Sequence, residues 1–152
     1  MPLVYYAKLG LRVSVPREWV VREFRALEFA VHPQEYTNMA PQLMPIFRYL
    51  RRTESAVPLS EAAREIMRAR VAQGVPTTLA FRVSGQPALA YAWTNGVAVE
   101  LSVFLKLEPC ALIEIGVRGE SIVSEVATIG DAASADLARW VAEFVQSEHG
   151  EN

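Results

Sequence analysis

The chain has one cysteine and two histidines, Cys110, His32 and His149. A lone cysteine cannot close an internal disulfide, and its place after Pro109 at the start of a strand pattern suits a small buried hydrophobe; this usage fits a reducing, cytoplasmic compartment. So few histidines leave general acid–base chemistry little to work with. His149 falls in a polar tail. His32 precedes Pro33 at a strand end, where a solvated loop residue is the simpler reading. Its acidic neighbour in sequence is Glu35, short of the clustered ligands that a metal needs. A phosphate-binding glycine loop, a dinucleotide fingerprint, a nucleophile elbow, paired-cysteine zinc spacing and a His-Glu-x-x-His helix are all missing. No catalytic residue, cofactor or metal is expected, and the chain reads as a non-enzyme.

Charge of one sign is missing too. Fifteen basic against seventeen acidic side chains leave a formal net charge of −2 with no long run of either sign, which points away from nucleic acid and from anionic membrane surfaces. No apolar run approaches the roughly eighteen residues of a membrane span, so no membrane insertion is expected. The start, MPLVYYAKLG, has neither a basic region leading into an apolar stretch nor a lipoprotein cysteine, and a cytoplasmic protein is expected.

What the chain does have is apolar content, 51% over 152 residues, enough for one domain, 1–152, with a real core. Its most regular stretch runs from Thr77 to Val117. Val97, Val99, Leu101, Val103, Leu105 and Leu107 alternate with Ala98, Glu100, Ser102, Lys106 and Glu108, the pattern of a sheet with one dry face; Phe104 is the exception on the wetter side. Turn signals at Gly85-Gln86-Pro87, at Asn95-Gly96 and at Pro109 divide the block into four strands, and such short turns imply an antiparallel meander. Upstream, Leu11 to Val15 reads as a strand ended by Pro16 and Val20 to Val31 as a second. A long irregular loop over 34–45 follows, and Ile46 to Arg52 reads as a third strand, basic enough for an edge.

Two helices are expected to cover this sheet. One opens at Ser60 as its cap and runs to about Gln73, before Gly74 and Pro76. The other is capped by Ser134 and carries Leu137, Trp140, Val141, Phe144 and Val145 at helical spacing. Residues 120–130 read as a strand, a short helix being the alternative. The expected class is α+β, a central antiparallel sheet of about six to seven strands covered by two main helices.

For function, Glu100 and Glu114 on adjacent strands could act as an acid–base pair, but cross-strand ion pairs on a partly solvated face are the better reading. Arg48, Arg51 and Arg52 could hold an anion, or be the fringe of an edge strand. Most weight falls on Tyr36, Met39, Met44 and Phe47 with Arg48. A methionine-rich irregular segment suits a protein-binding surface, unless it folds down as a core plug.

The strand ending LRVSVPREW, the helix-opening VPLSEAAREI, the pair GQPALAYAW followed by NG, and the terminal WVAEFVQS together resemble the PsbP/DcrB-like family over nearly all of residues 5–147. The resemblance implies an α/β/α sandwich around an antiparallel sheet. Its members, named for photosystem II association, Ran binding, phage-related envelope roles and chaperoning of secreted toxins, share the fold without sharing an active site. No binding residue carries across to this chain, which departs from the secreted and lipid-anchored members in its N-terminal sequence. The expectation is an adaptor or chaperone-like protein that recognises a protein segment, or its own copy as a homodimer. The alternative is a small-molecule-binding protein or an enzyme, using a pocket between sheet and helix lined by Tyr91, Trp93 and Trp140.

Overall fold

Alternation sets the first elements: β1 (Leu3–Tyr6) pairs antiparallel with β2 (Leu11–Ser14) in the computed structural model, which describes residues 3–71 and 77–147. The stretch expected as one strand from Val20 to Val31 is a hairpin, β3 (Trp19–Arg25) followed by β4 (Glu28–Pro33). Its turn carries no Gly, Asn or Pro. Instead Leu27 adopts a left-handed φ of 64°, and its carbonyl accepts the Arg52 N–H at 3.1 Å. A long-range contact thus supports a turn that no local signal announces.

An irregular segment with two short 3-10 turns, Gln34–Tyr36 and Pro41–Leu43, leads into β5 (Phe47–Glu54). Next is α1 (Leu59–Arg70), with Pro58 rather than Ser60 at the N-cap, its φ of −54° already suited to helix entry. The expected stretch of this helix to Gln73, with Gly74 and Pro76 beyond, lies outside the described residues, as does His149.

The regular block forms β6 (Thr77–Val83), β7 (Gln86–Thr94), β8 (Val99–Glu108) and β9 (Ala111–Arg118), the expected antiparallel meander. Two of its turns differ from the sequence reading. The first is Ser84-Gly85, both at positive φ (51° and 82°), the two-residue geometry that matches strand twist. Gln86 and Pro87 therefore belong to β7, and Pro87 is tolerated because pairing with β8 begins at Ala88. The second spans Asn95 to Ala98, where Asn95 Oδ1 accepts the N–H groups of Val97 and Ala98 at 2.8 and 3.0 Å. Val97 is consequently 94% exposed rather than on the dry face. Cys110 is exposed in the β8–β9 turn, not buried.

Residues 120–130 are mainly helix, α2 (Ser121–Ile129), not strand. Ile122, Val123 and Val126 are buried together, a helical stripe that two-residue alternation cannot make. Then comes α3 (Ser134–Phe144), whose Ser134 hydroxyl donates back to the Asp131 carbonyl at 2.8 Å instead of capping. The last strand, β10 (Val145–Ser147), completes a small sheet in the order β1-β2-β10.

The large sheet has seven strands in the order β3-β4-β5-β9-β8-β7-β6, and every neighbouring pair is antiparallel. β5, expected at an edge, is interior, between β4 and β9. One face, with Leu50, Leu79, Leu101, Val103, Ile113 and Ile115, packs under Val126 of α2, Leu137, Val141 and Phe144 of α3, and Leu11 and Val13 of the small sheet. The other face is dry in two separate patches. Phe104 and Leu112 lie beneath Ala62, Ala63 and Met67 of α1, so Phe104 is core and not an exception. Ala30, Met44 and Phe47 form the second patch, under the segment that joins β4 to β5. Helices on both faces of an antiparallel sheet make this an α+β sandwich, the class expected. Among the described residues no helix is long and apolar enough to cross a membrane.

Candidate functional site

Between those two patches the sheet is left open, and the registers show why. One row across four strands reads Tyr49, Gly116, Ser102, Tyr91, and the next reads Phe47, Arg118, Glu100, Trp93. Gly116 and Ser102 are the two small residues of a row whose ends are tyrosines. With strands about 4.8 Å apart, they sink a depression into the middle of the face. The result is a cleft of about 250 Å³, lined by Phe47, Tyr49, Arg70, Trp93, Glu100, Ser102, Glu114 and Gly116.

Its polar groups converge from five elements. Arg70, the last residue of α1, reaches across to Glu114 of β9 and grips both carboxylate oxygens. Glu100 pairs with Arg118 directly across the β8–β9 ladder, its Oε2 accepting Arg118 Nη2 at 2.8 Å and Asn95 Nδ2 at 2.6 Å. Arg118 Nη1 also donates to the carbonyls of Pro41 and Met44, at 3.0 and 2.8 Å, pinning the long segment to the sheet. Trp93 Nε1 donates to Ser102 Oγ at 2.9 Å, and the Tyr49 hydroxyl to Glu28 at 3.1 Å.

Burial, then the charges of Glu114 and Glu28, push the Tyr49 phenol well above its ordinary value, with Arg51 opposing in part. For Arg70, burial favours the neutral form, but the bond to Glu114 and its charge outweigh it and hold the group above its ordinary value.

The expected cross-strand ion pair is present for Glu100 alone, since the partner of Glu114 comes from the helix, and Glu114 is 2% exposed rather than on a wet surface. Each carboxylate is held by its own arginine, Glu114 by Arg70 and Glu100 by Arg118. Among the described residues no three His, Cys, Asp or Glu side chains converge as metal ligands. No known family profile and no curated protein matches this chain. The site is therefore read from its own geometry.

Of the residues singled out in sequence, Met44 and Phe47 are buried against Ala30, and Tyr36 and Met39 pack half-buried over them, so this part of the segment is a plug. Leu43 beside them is 71% exposed. Arg48 faces the other side of the sheet, bound through Nε and Nη2 to Glu120 at 2.6 and 2.8 Å. Its guanidinium lies 5.1, 4.8 and 4.6 Å from the ring centres of Trp19, Trp140 and Phe144. An edge fringe or an anion site is thus replaced by an internal ion pair. His32, read as a solvated loop residue, is fully buried on β4, its Nδ1 2.8 Å from the Pro33 carbonyl. Tyr91 and Trp93 pack under α1, whereas Trp140 packs on the opposite face, so the three cannot line one pocket.

A second concavity, of about 510 Å³, runs along the outer edge of the sheet and is lined by Leu59 and Ser60 of α1 and by Ala80, Arg82, Pro87 and Leu89 of β6 and β7. The edges of the large sheet differ. β3 is blunted by a register shift between Glu23 and Arg25, by the Lys8–Glu23 ion pair, and by Arg22, which donates to the carbonyls of Thr37 and Met39. β6 has seven residues, no proline and no register shift, and its single charge is Arg82 near the turn. In a hairpin closed by two residues the pair beside the turn exchanges hydrogen bonds. Val83 pairs with Gln86 there, so Val83, Phe81 and Leu79 bond inward, and the N–H and C=O groups of Arg82, Ala80 and Thr78 point away from the sheet.

Proposed function

We propose that the protein is a non-catalytic adaptor or chaperone-like module of the cytoplasm that captures an extended protein segment by adding it as a strand along β6. The observation that carries this reading is the contrast between the two edges: natural sheets blunt the edges they must keep unpaired, and among the described residues such blunting is found on β3 and not on β6. An incoming strand would gain main-chain bonds to Thr78, Ala80 and Arg82, and the groove between Leu59, Leu89 and Pro87 would take its alternate side chains. The surface expected over 36–47 is thereby moved to the opposite end of the sheet. The resemblance to the PsbP/DcrB-like family, whose members serve binding and assembly, supports the same reading by analogy of fold.

Ala80→Pro tests it. In the β6–β7 register the Ala80 N–H makes no ladder bond, so proline there leaves that ladder intact while blocking a partner strand. Displayed 12-residue peptides selected on the wild-type protein should lose binding to the Ala80→Pro variant and keep it in Leu43→Ala, which alters the 36–47 segment. Peptides indifferent to Ala80→Pro but lost with Leu43→Ala would return the binding surface to that segment.

A further inference from the structure

We propose that the cleft beside Gly116 is a binding site for a small organic cation, an alkyl ammonium or guanidinium group. Three observations lead there. First, Glu100 lines the cleft with one oxygen to spare: Oε2 accepts from Arg118 and Asn95, whereas among the described residues Oε1 takes no donor. Its arginine partner is itself shared, because Arg118 also donates to main-chain carbonyls of the 36–47 segment. Glu100 is thus incompletely neutralised inside a partly desolvated wall, where an added positive charge is worth more than in water.

Second, the walls are aromatic. Tyr49 and Trp93 flank the small residues of the floor, and a cation over such ring faces gains from their quadrupoles. The same face already shows this chemistry internally, with the Arg118 guanidinium 4.4 Å from the ring centre of Phe47. Third, the other charges that line the cleft are spent on each other, Arg70 holding both oxygens of Glu114, so Glu100, with 13% of its side chain exposed, supplies the carboxylate oxygen that an incoming cation meets. A volume of about 250 Å³ lies below the usual range of drug-sized pockets, so the site takes one head group with a short chain. That group can belong to a free amine or to a basic side chain of a bound segment, and the chemistry is the same.

Agmatine, which carries both groups, is the probe, read by the indole N–H resonance of Trp93 in the full-length ¹⁵N-labelled protein. A saturable shift is expected, weakened at least tenfold in Glu100→Gln, which keeps the volume and the acceptor that Arg118 and Asn95 use. Trp93→Phe, followed through the backbone amides of Gly116 and Ser102, should weaken it likewise if Glu100→Gln fails to fold. A capped Gly-Arg-Gly peptide that shifts the resonance where agmatine does not assigns the cation to a partner's side chain. The proposal is overturned if neither probe gives a saturable shift, if folded Glu100→Gln binds as wild type does, or if succinate binds as well as agmatine. Ala80→Pro leaves the cleft untouched, so failure here and failure of strand capture at β6 are read separately.

Discussion

Arg70 at the end of α1 holds Glu114 of β9 by both carboxylate oxygens, one of them at 2.8 Å, and so ties the helix to the sheet at the edge of the cleft. The carboxylate has 3% of its side chain exposed, whereas the arginine keeps 25%. Removing the cation leaves an almost fully buried anion without its partner, which costs more than the pair itself contributes. Arg70→Ala should lower unfolding free energy by about 3 kcal/mol, the low end of the range for buried pairs because water reaches the vacated side. Replacing both partners, Arg70→Met with Glu114→Leu, should recover most of that loss. Urea titrations of the single and double variants check this, and a single-variant loss under about 1 kcal/mol would mean that Glu114 is solvated without Arg70.

Arg48 makes a different kind of pair. Its planar fork meets Glu120 with two bonds, and its flat face rests among Trp19, Trp140 and Phe144. Lysine keeps the charge but supplies neither the fork nor the stacking plane. Arg48→Lys should cost about 1 to 2 kcal/mol and change the tryptophan emission, since two of the three rings are indoles. Thermal unfolding followed by fluorescence measures both, and an unchanged midpoint would assign the cage no part in stability.

The meander was legible because Thr77 to Val117 alternates at period two and a turn signal separates each strand from the next. The hairpin of β3 and β4 was not, because its turn at Leu27 is held by a bond to Arg52 rather than by a residue that prefers the conformation. Arg48, Arg51 and Arg52 misled for a related reason. Charge on a strand signals an edge only when its partners are unknown, and Glu120 lies 72 residues away in sequence. The cleft was half legible. Glu100 and Glu114 were marked by type and strand position, but Gly116 and Ser102 become a floor only once the register places them side by side, and Arg70 had no signal beyond its place near a helix end.

Tyr49 predicts an alkaline limb to the stability curve. In the folded chain its phenol is held well above the ordinary value of about 10. Above that value the unfolded chain releases the proton while the folded chain keeps it, so stability falls as pH rises beyond about 10 and is fully present below. Tyr49→Phe removes this contribution and should flatten the limb between about pH 9.5 and 11 relative to wild type, at the cost of the bond to Glu28. Denaturation midpoints across that interval report the slope, and parallel curves for the two proteins would rule out Tyr49 as its source.

The two adjacent residues Leu43 and Met44 separate a plug from a surface. Met44 is 1% exposed, seated against Ala30 and Phe47, with its carbonyl bound by Arg118, while Leu43 is 71% exposed. Deleting a buried methionine side chain removes its transfer free energy and leaves a cavity, about 2 to 4 kcal/mol together. An exposed leucine has almost nothing to lose, and Leu43→Ala should stay within about 0.5 kcal/mol of wild type. Because Arg118 joins the Met44 carbonyl to Glu100, loosening the plug should also perturb the cleft, and Met44→Ala should shift the Trp93 indole resonance where Leu43→Ala does not. Equal, small costs for the two variants would mean that the segment lies loosely on the sheet, and the cleft would then have no fixed wall on that side.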